Sequence, residues 1–113
     1  MSASIPTRRR GGPMEKNKII YLSGKIAGLP WEEVKKNFEL ATAQVYLRQG
    51  HVTVVDPSQL PKTQNSWGHY ILRDLQILQD CDAIAMLPNW KDSKGAKVER
   101  AFAEGLGLEI IEL

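Results

Sequence analysis

Apolar residues along the chain form short continuous runs that alternate with longer stretches of helical spacing. Four runs predict β-strands, at residues 19–23 (IIYLS), 51–57 (HVTVVDP), 82–87 (DAIAML) and 108–113 (LEIIEL). Stretches in which apolar residues recur three or four positions apart predict helices over residues 31–49, 67–80 and 95–106. Gly50 and Gly107 follow the first and the last of these helices, and glycine commonly ends a helix.

Strands and helices therefore alternate, which predicts an α/β fold. We expect a Rossmann-like or flavodoxin-like three-layer sandwich, with a mostly parallel sheet of four to five strands and helices on both faces. Ligands bind to such sheets beyond the carboxyl ends of the strands. The loops at that edge are residues 24–30, 56–67 and 88–95, and we expect the functional site among them.

Composition favours one ordinary globular domain. The chain has 113 residues, of which 42% are hydrophobic and 25% charged. Its apolar runs are too short to span a membrane, and its beginning lacks the hydrophobic region of a secretory signal. The single cysteine, Cys81, excludes an internal disulfide, and with His51 and His69 it makes a poor zinc site. We expect a cytoplasmic protein with no metal and no cofactor.

The net charge of +2 is unevenly distributed. Residues 1–18 contain five basic residues and one acidic residue, a charge of +4, which leaves −2 for residues 19–113. The predicted domain is therefore not basic, and we do not expect a nucleic-acid partner. We interpret residues 1–18 as a flexible basic leader and residues 19–113 as a single domain.

Two carboxylates interrupt apolar helix faces. On the third helix the apolar face is centred near Val98, and Glu99 falls at its edge, about 100° away. Arg100 and Glu104 fall on the opposite side and are expected to form an exposed ion pair. On the second helix, Asp74 falls beside the apolar stripe, whereas Arg73 is expected to point away from it.

A carboxylate on an apolar face costs several kcal/mol unless it has a partner. Two explanations are open for these carboxylates. Either Glu99 and Asp74 form a functional site, or they have structural roles in which Glu99 binds a loop amide and Asp74 caps a loop.

The glycine loop SGKIAG also has two explanations. Its backbone amides and Lys25 are suited to binding a phosphate, but the loop has neither the dinucleotide-binding pattern nor the Walker pattern. A tight turn would explain the glycines equally well. Trp67 and Trp90 in the loops either stack on a base or pack.

Three segments together resemble the nucleoside 2-deoxyribosyltransferase-like superfamily. They are YLSGKIAG, RDLQILQDCDAIAML and SKGAKVERAFAEGLG, which match a Y-x-x-G opening, a helix with an aspartate before a strand, and an S/D-x-G-x-x-x-E helix start. The resemblance covers residues 19–112. The form with LPNW and S-x-G-A-x-x-E is similar to a branch found in bacteria and phages.

The resemblance implies cleavage of an N-glycosidic bond through a covalent glycosyl-enzyme intermediate. The family's nucleophilic glutamate matches Glu99. Its tyrosine, which orients the nucleophile, matches Tyr21, and its helix aspartate matches Asp74, which contacts the sugar or assists proton transfer to the departing base. Members form dimers or larger oligomers, so a homo-oligomer is expected.

The substrate implied by the resemblance is a nucleotide. The residue six positions before the glutamate is acidic in the deoxyribosyltransferases but is serine in the deoxynucleoside monophosphate hydrolases, where it binds the 5′-phosphate; here it is Ser93. The hydrolases have an arginine in the glycine loop where this chain has Ala27, and Lys25 is a candidate to replace it. The residues expected to bind substrate or phosphate are Ser23, Gly24, Lys25, Ile26, Gly28, Asn89, Trp90, Ser93 and Gly95.

We therefore expect an N-glycosidase that hydrolyses, or transfers, the glycosyl group of a nucleotide or deoxynucleoside 5′-monophosphate. Two alternatives remain at this point. One is a non-catalytic module that binds a nucleotide or a nucleotide-derived signal in the same crevice. The other is a small interaction protein whose displaced carboxylates are structural.

Overall fold

A computed structural model describes residues 17–61 and 66–113. Residues 1–16 of the expected leader lie outside the described residues. The strands and helices, in chain order, are β1 (Lys18–Ser23), α1 (Trp31–Gln49), β2 (Val52–Val55), α2 (Trp67–Leu78), β3 (Ala83–Met86), α3 (Lys94–Leu106) and β4 (Glu109–Glu112). Short 3-10 turns occupy Pro57–Gln59 and Trp90–Asp92. Strand β1 begins at Lys18, one residue earlier than predicted, and α2 ends two residues earlier.

The four strands form one parallel sheet in the order β2-β1-β3-β4. The predicted α/β class and three-layer architecture are thereby confirmed. From β1 the chain crosses to β2 on one side, and it later returns to β3 on the other side. The strand order therefore reverses between β1 and β3, where doubly wound sheets bind ligands at the carboxyl edge.

The sheet separates two apolar clusters. Because side chains alternate along a strand, Ile20 and Leu22 of β1 pack with α1 on one face, whereas Tyr21 packs on the other. We call the α1 side the α1 cluster, and its helix residues are Val34, Phe38, Ala41 and Val45. The opposite cluster, between the sheet and helices α2 and α3, also receives Ile84 and Met86 of β3.

Helices α2 and α3 both begin at the carboxyl edge of the sheet, and each starts with a serine cap. The Ser66 hydroxyl accepts the amide N–H of His69 at 3.2 Å, and the Ser93 hydroxyl accepts that of Ala96 at 3.0 Å. Helix α3 ends at Gly107, whose φ of 78° lies in the left-handed region. The two caps fix the residues at which these helices begin.

Candidate active site

Glu99 of α3 lies at the centre of the site and is only 6% exposed. The Tyr21 hydroxyl donates to Glu99 Oε2 at 2.8 Å, and the Ser23 hydroxyl donates to Oε1 at 2.7 Å. Tyr21 and Ser23 are two residues apart on β1 and therefore project from the same face of the sheet. One strand thus supplies a donor to each oxygen of a buried carboxyl group, and these donors fix the orientation of its plane.

Burial dominates the protonation of Glu99 and raises its pKa from 4.5 to about 7. The hydrogen bonds from Ser23 and Tyr21 lower the pKa, but the nearby carboxyl group of Asp74 raises it again. Burial, together with the charges of Glu99 and Asp74, raises the pKa of Tyr21 far above its usual range, so Tyr21 remains a hydroxyl donor. Near neutral pH, Glu99 therefore exists in both protonated and ionised forms.

Asp74 of α2 shares this pocket and has a close cationic partner. Arg73 Nε donates to Asp74 Oδ1 at 3.1 Å, and Nη2 forms an ion pair with the same oxygen at 3.0 Å. Its Nη1 donates to the backbone carbonyl of Pro61 at 2.9 Å, and its guanidinium carbon lies 5.2 Å from the ring centroid of Tyr70. The Asp74 side chain is 14% exposed, so this ion pair is only partly screened by solvent.

Asp74 and Glu99 open into a cleft of about 500 Å³ at the carboxyl edge of the sheet. Its walls come from the glycine loop, the turn after β2, helix α2 and the start of α3. The lining residues are Gly24, Lys25, Ile26, Ala27, Pro57, Trp67, Tyr70, Ile71, Arg73, Asp74, Asp92, Ser93, Lys94, Gly95, Ala96 and Glu99. The volume suits a small organic ligand, and Lys25, Arg73 and Lys94 give the rim cationic groups.

The glycine loop is held against the end of β3. A Cβ on Gly24 would lie 2.7 Å from both Cβ and Cδ2 of Leu87, so the backbone approaches this side chain too closely for any larger residue. The side-chain oxygen of Asn89 accepts the backbone N–H of Lys25 at 3.0 Å. Asn89 therefore fixes the course of the loop, and Lys25 extends from a supported backbone.

The family assignment follows from the sequence. Residues 18–112 match the family model described as "Domain of unknown function (DUF4406)". The chain belongs to the DUF4406 family. No match was found among the curated proteins.

The DUF4406 domain has a known fold. Among solved structures it is similar to "2-desoxiribosyltransferase from Leishmania mexicana", with a TM-score of 0.56 and 22% sequence identity. The similarity covers 85% of this chain and 63% of that protein. At this level of identity the comparison establishes a shared fold. No helix within residues 17–61 and 66–113 is long and apolar enough to cross a membrane.

Five residues expected at the site of this DUF4406 domain do not line the cleft. Tyr21 and Ser23 are fully buried and contact Glu99 instead, so Ser23 is not placed to bind substrate directly. Gly28 lies in the exposed part of its loop, where its φ of 85° serves the turn. Asn89 acts on the loop backbone.

Trp90 packs against the apolar cluster between the sheet and helices α2 and α3, and the guanidinium of Arg100 lies 4.6 Å from the ring centroid of Trp90. Because packing occupies Trp90, its ring does not form a cleft wall.

Arg100 does not form the expected pair with Glu104. Its Nη2 donates to Glu112 of β4 at 2.7 Å. The interaction arises because α3 lies beside β4, so that a partner distant in sequence is nearer to the guanidinium than the exposed helix neighbour. This tertiary contact could not be inferred from helical spacing alone.

The orientation predicted for α3 was wrong by about a third of a turn. Val98 and Leu106, expected in the core, are 36% and 48% exposed, whereas Ala96, Glu99 and Ala103 face the sheet. Small alanines allow the helix to approach the strands closely, and the two hydroxyl donors of β1 satisfy the carboxylate between them. Glu99 is consequently in the middle of the buried face and not at its edge.

The structure also adds residues to the cleft that the sequence did not indicate. Arg73 was expected to point away from Asp74, but its long side chain folds back to bind it. Tyr70, Asp92, Lys94 and Pro57 are further additions. For Tyr70 a signal existed, since it precedes Asp74 by one helical turn and therefore shares its side of α2.

Proposed function

We propose that this protein is an N-glycosidase that cleaves the bond between sugar and base in a nucleotide, with a deoxynucleoside 5′-monophosphate as the expected substrate class. The observation that carries the proposal is the buried carboxyl group of Glu99, fixed by Tyr21 and Ser23 at the inner end of a ligand-sized cleft. The fold shared with a 2-deoxyribosyltransferase and the three sequence segments support the same chemistry.

In the proposed reaction, ionised Glu99 attacks the anomeric carbon. A carbon–oxygen bond forms, the carbon–nitrogen bond breaks, and the base departs with the electron pair and takes up a proton. Water then attacks the anomeric carbon, the bond to Glu99 breaks and regenerates the carboxylate, and the water's proton is released; in a transfer reaction a second base attacks in place of water. Tyr21 and Ser23 hold the carboxylate in place. Asp74 contacts a sugar hydroxyl or transfers the proton to the base.

The start of α3 is the proposed phosphate site. The Ser93 hydroxyl accepts the amide N–H of Ala96, so its proton remains available to donate to a phosphate oxygen. Lys25 and Gly95 also line the cleft. A hydroxyl and a lysine favour a dianionic phosphate, whereas an acidic side chain at position 93 would repel it. This is the pattern of the deoxynucleoside monophosphate hydrolases, and it is compatible with a cytoplasmic protein.

The test is release of free base. The protein is incubated with nucleosides, nucleoside 5′-monophosphates and NAD-type dinucleotides, and products are separated by chromatography. We expect base release from a deoxynucleoside monophosphate, its loss in Glu99→Gln, and full activity in Glu104→Gln, which removes an exposed glutamate from the same helix. Nucleotide binding without release would favour a non-catalytic binding module, and absence of both would overturn the proposal.

We also propose that the protein self-associates through α3. The outer stripe of this helix, Val98, Phe102 and Leu106, is apolar but only partly covered. Light scattering coupled to size-exclusion chromatography should give more than the monomer mass for the wild type and the monomer mass for Leu106→Glu. A monomeric wild type would contradict self-association and would leave the glycosidase proposal unaffected.

A further inference from the structure

Arg73 makes an arrangement that helix geometry alone does not produce. Neighbouring residues on a helix project about 100° apart, yet the Arg73 side chain turns back to Asp74 Oδ1, to which Nε donates and with which Nη2 forms an ion pair. Its Nη1 donates to the carbonyl of Pro61, before the start of α2. The Arg73 side chain is 28% exposed, and its guanidinium lies against Tyr70. Arg73 therefore ties Asp74 to the backbone at Pro61.

This contact distinguishes two carboxyl groups that are otherwise close neighbours. Two nearby carboxyl groups share their protons as a pair, and a cation that touches one of them favours the ionised form of that one. Arg73 touches Asp74, whereas hydroxyl groups touch Glu99. The raised pKa of Glu99, to which Asp74 contributes, agrees with a proton that resides on Glu99.

We propose that Arg73 is a positioning residue that keeps Asp74 ionised, so that Asp74 accepts a hydrogen bond from a sugar hydroxyl of the substrate and does not donate a proton to the departing base. The second half of this inference rests on the proposed glycosidase function and decides between the two roles left open for Asp74. The departing base then takes its proton from solvent water, and the proton released when water attacks the glycosyl-enzyme returns to solvent. Of the two carboxyl groups, Glu99 is then the one that titrates near neutral pH in the free protein.

Other charged or titratable groups near Asp74 and Glu99 also affect their ionisation. They are Tyr21 on β1, Lys25 in the glycine loop, and Asp92 and Lys94 at the start of α3. Lys94 has a separate partner, since its ammonium lies 4.1 Å from the ring centroid of Trp67. Arg73 differs from both lysines in that it contacts Asp74 directly, through one hydrogen bond and one ion pair, and the inference is specific to it.

The decisive measurement is a titration of side-chain carboxyl carbons by ¹³C NMR, with Asp74→Asn and Glu99→Gln used for assignment. In the wild type we expect the Glu99 signal to titrate between pH 5.5 and 8.5, while that of Asp74 stays constant. In Arg73→Met both signals should move in this range, and the last ionisation of the pair should rise by about one to three pH units. Arg73→Lys, which retains a cation, should resemble the wild type. An Asp74 signal that titrates in the wild type, or unchanged titrations in Arg73→Met, would overturn the inference.

A double variant separates this role from a purely structural one. With Asp74→Asn already present, Arg73→Met should no longer alter the Glu99 titration, because the proposed effect acts through Asp74. A shift that persists would refute the mechanism. In activity assays, kcat/KM of the wild type should rise with the ionisation of Glu99 near pH 7, beside that of the substrate phosphate at about pH 6, and Arg73→Met should move the Glu99 midpoint upward. If the wild type releases no base, the glycosidase proposal fails, while the NMR titrations still decide whether Arg73 controls the ionisation of Asp74.

Discussion

Replacement of Glu99 by glutamine should change how the stability of the protein depends on pH. Glutamine keeps the size of the side chain but cannot ionise. It also loses one acceptor, since Tyr21 and Ser23 donate to different oxygens of the carboxyl group. A lost buried hydrogen bond destabilises the protein by about 1–3 kcal/mol, and this loss is similar at every pH below the ionisation of Tyr21. The pH-dependent change in the free energy of unfolding can therefore be separated from the constant loss of this hydrogen bond.

The magnitude follows from the raised pKa of Glu99. Below pH 4.5 this carboxyl group is protonated in both the folded and the unfolded chain and contributes no penalty. Between pH 4.5 and about 7 the unfolded chain releases the proton while the folded protein retains it, so the free energy of unfolding falls as pH rises. Above about pH 7 the full penalty of roughly 3 kcal/mol is present. Glu99→Gln lacks this penalty.

Urea denaturation at pH 4.5, 5.5, 7.0 and 8.5 measures the effect. The difference in free energy of unfolding, variant minus wild type, should rise by about 3 kcal/mol from the lowest to the highest pH and should level off above pH 7. Glu104→Gln, on the exposed side of α3, should give a constant difference. If the Glu99→Gln and wild-type curves run parallel, Glu99 is not held in a desolvated pocket and the electrostatic account of the site is wrong.

Three further outcomes are expected. Tyr21→Phe removes a hydrogen bond that favours the ionised form of Glu99, so the pH midpoint of activity should rise by roughly one unit; an unchanged midpoint would contradict this. Gly24→Ala introduces a Cβ that overlaps the leucine after β3 and should destabilise the protein by about 1–3 kcal/mol in urea denaturation, whereas Gly105→Ala, on an open helix position, should be neutral or stabilising. Lys25→Met should raise KM for a monophosphate about tenfold while leaving KM for the matching nucleoside unchanged, and an equal effect on both would exclude a phosphate contact.

The alternation of strands and helices was predictable because each element carries its own period. The run IIYLS has the composition of a buried parallel strand, and the spacing of Val34, Phe38, Ala41 and Val45 identifies the inner face of α1. Element boundaries agreed within about two residues, since serines and glycines mark several of the helix ends. The parallel direction followed from the alternation itself.

The orientation of α3 was not predictable in the same way. Periodicity assigns the most apolar side of a helix to the core, but here the alanine side packs inward because buried hydroxyls on β1 satisfy the carboxylate among the alanines. The directions of the Arg73 and Arg100 side chains were also not predictable from helical spacing. A long flexible side chain is directed by its partners in the tertiary structure. These partners are Asp74 and Pro61 for Arg73, and Glu112 for Arg100.

The two clusters on opposite faces of the sheet divide the molecule by tolerance to sequence change. Everything that holds Glu99 lies on one face, and the buried α1 residues Val34, Phe38, Ala41 and Val45 on the other face do not line the cleft. The buried positions of α1 can therefore be redesigned for thermal stability without altering the chemistry. Substitutions intended to alter substrate preference should instead be made on α2 and at the start of α3. Each of them must leave the buried carboxyl group of Glu99 with its hydrogen-bond donors.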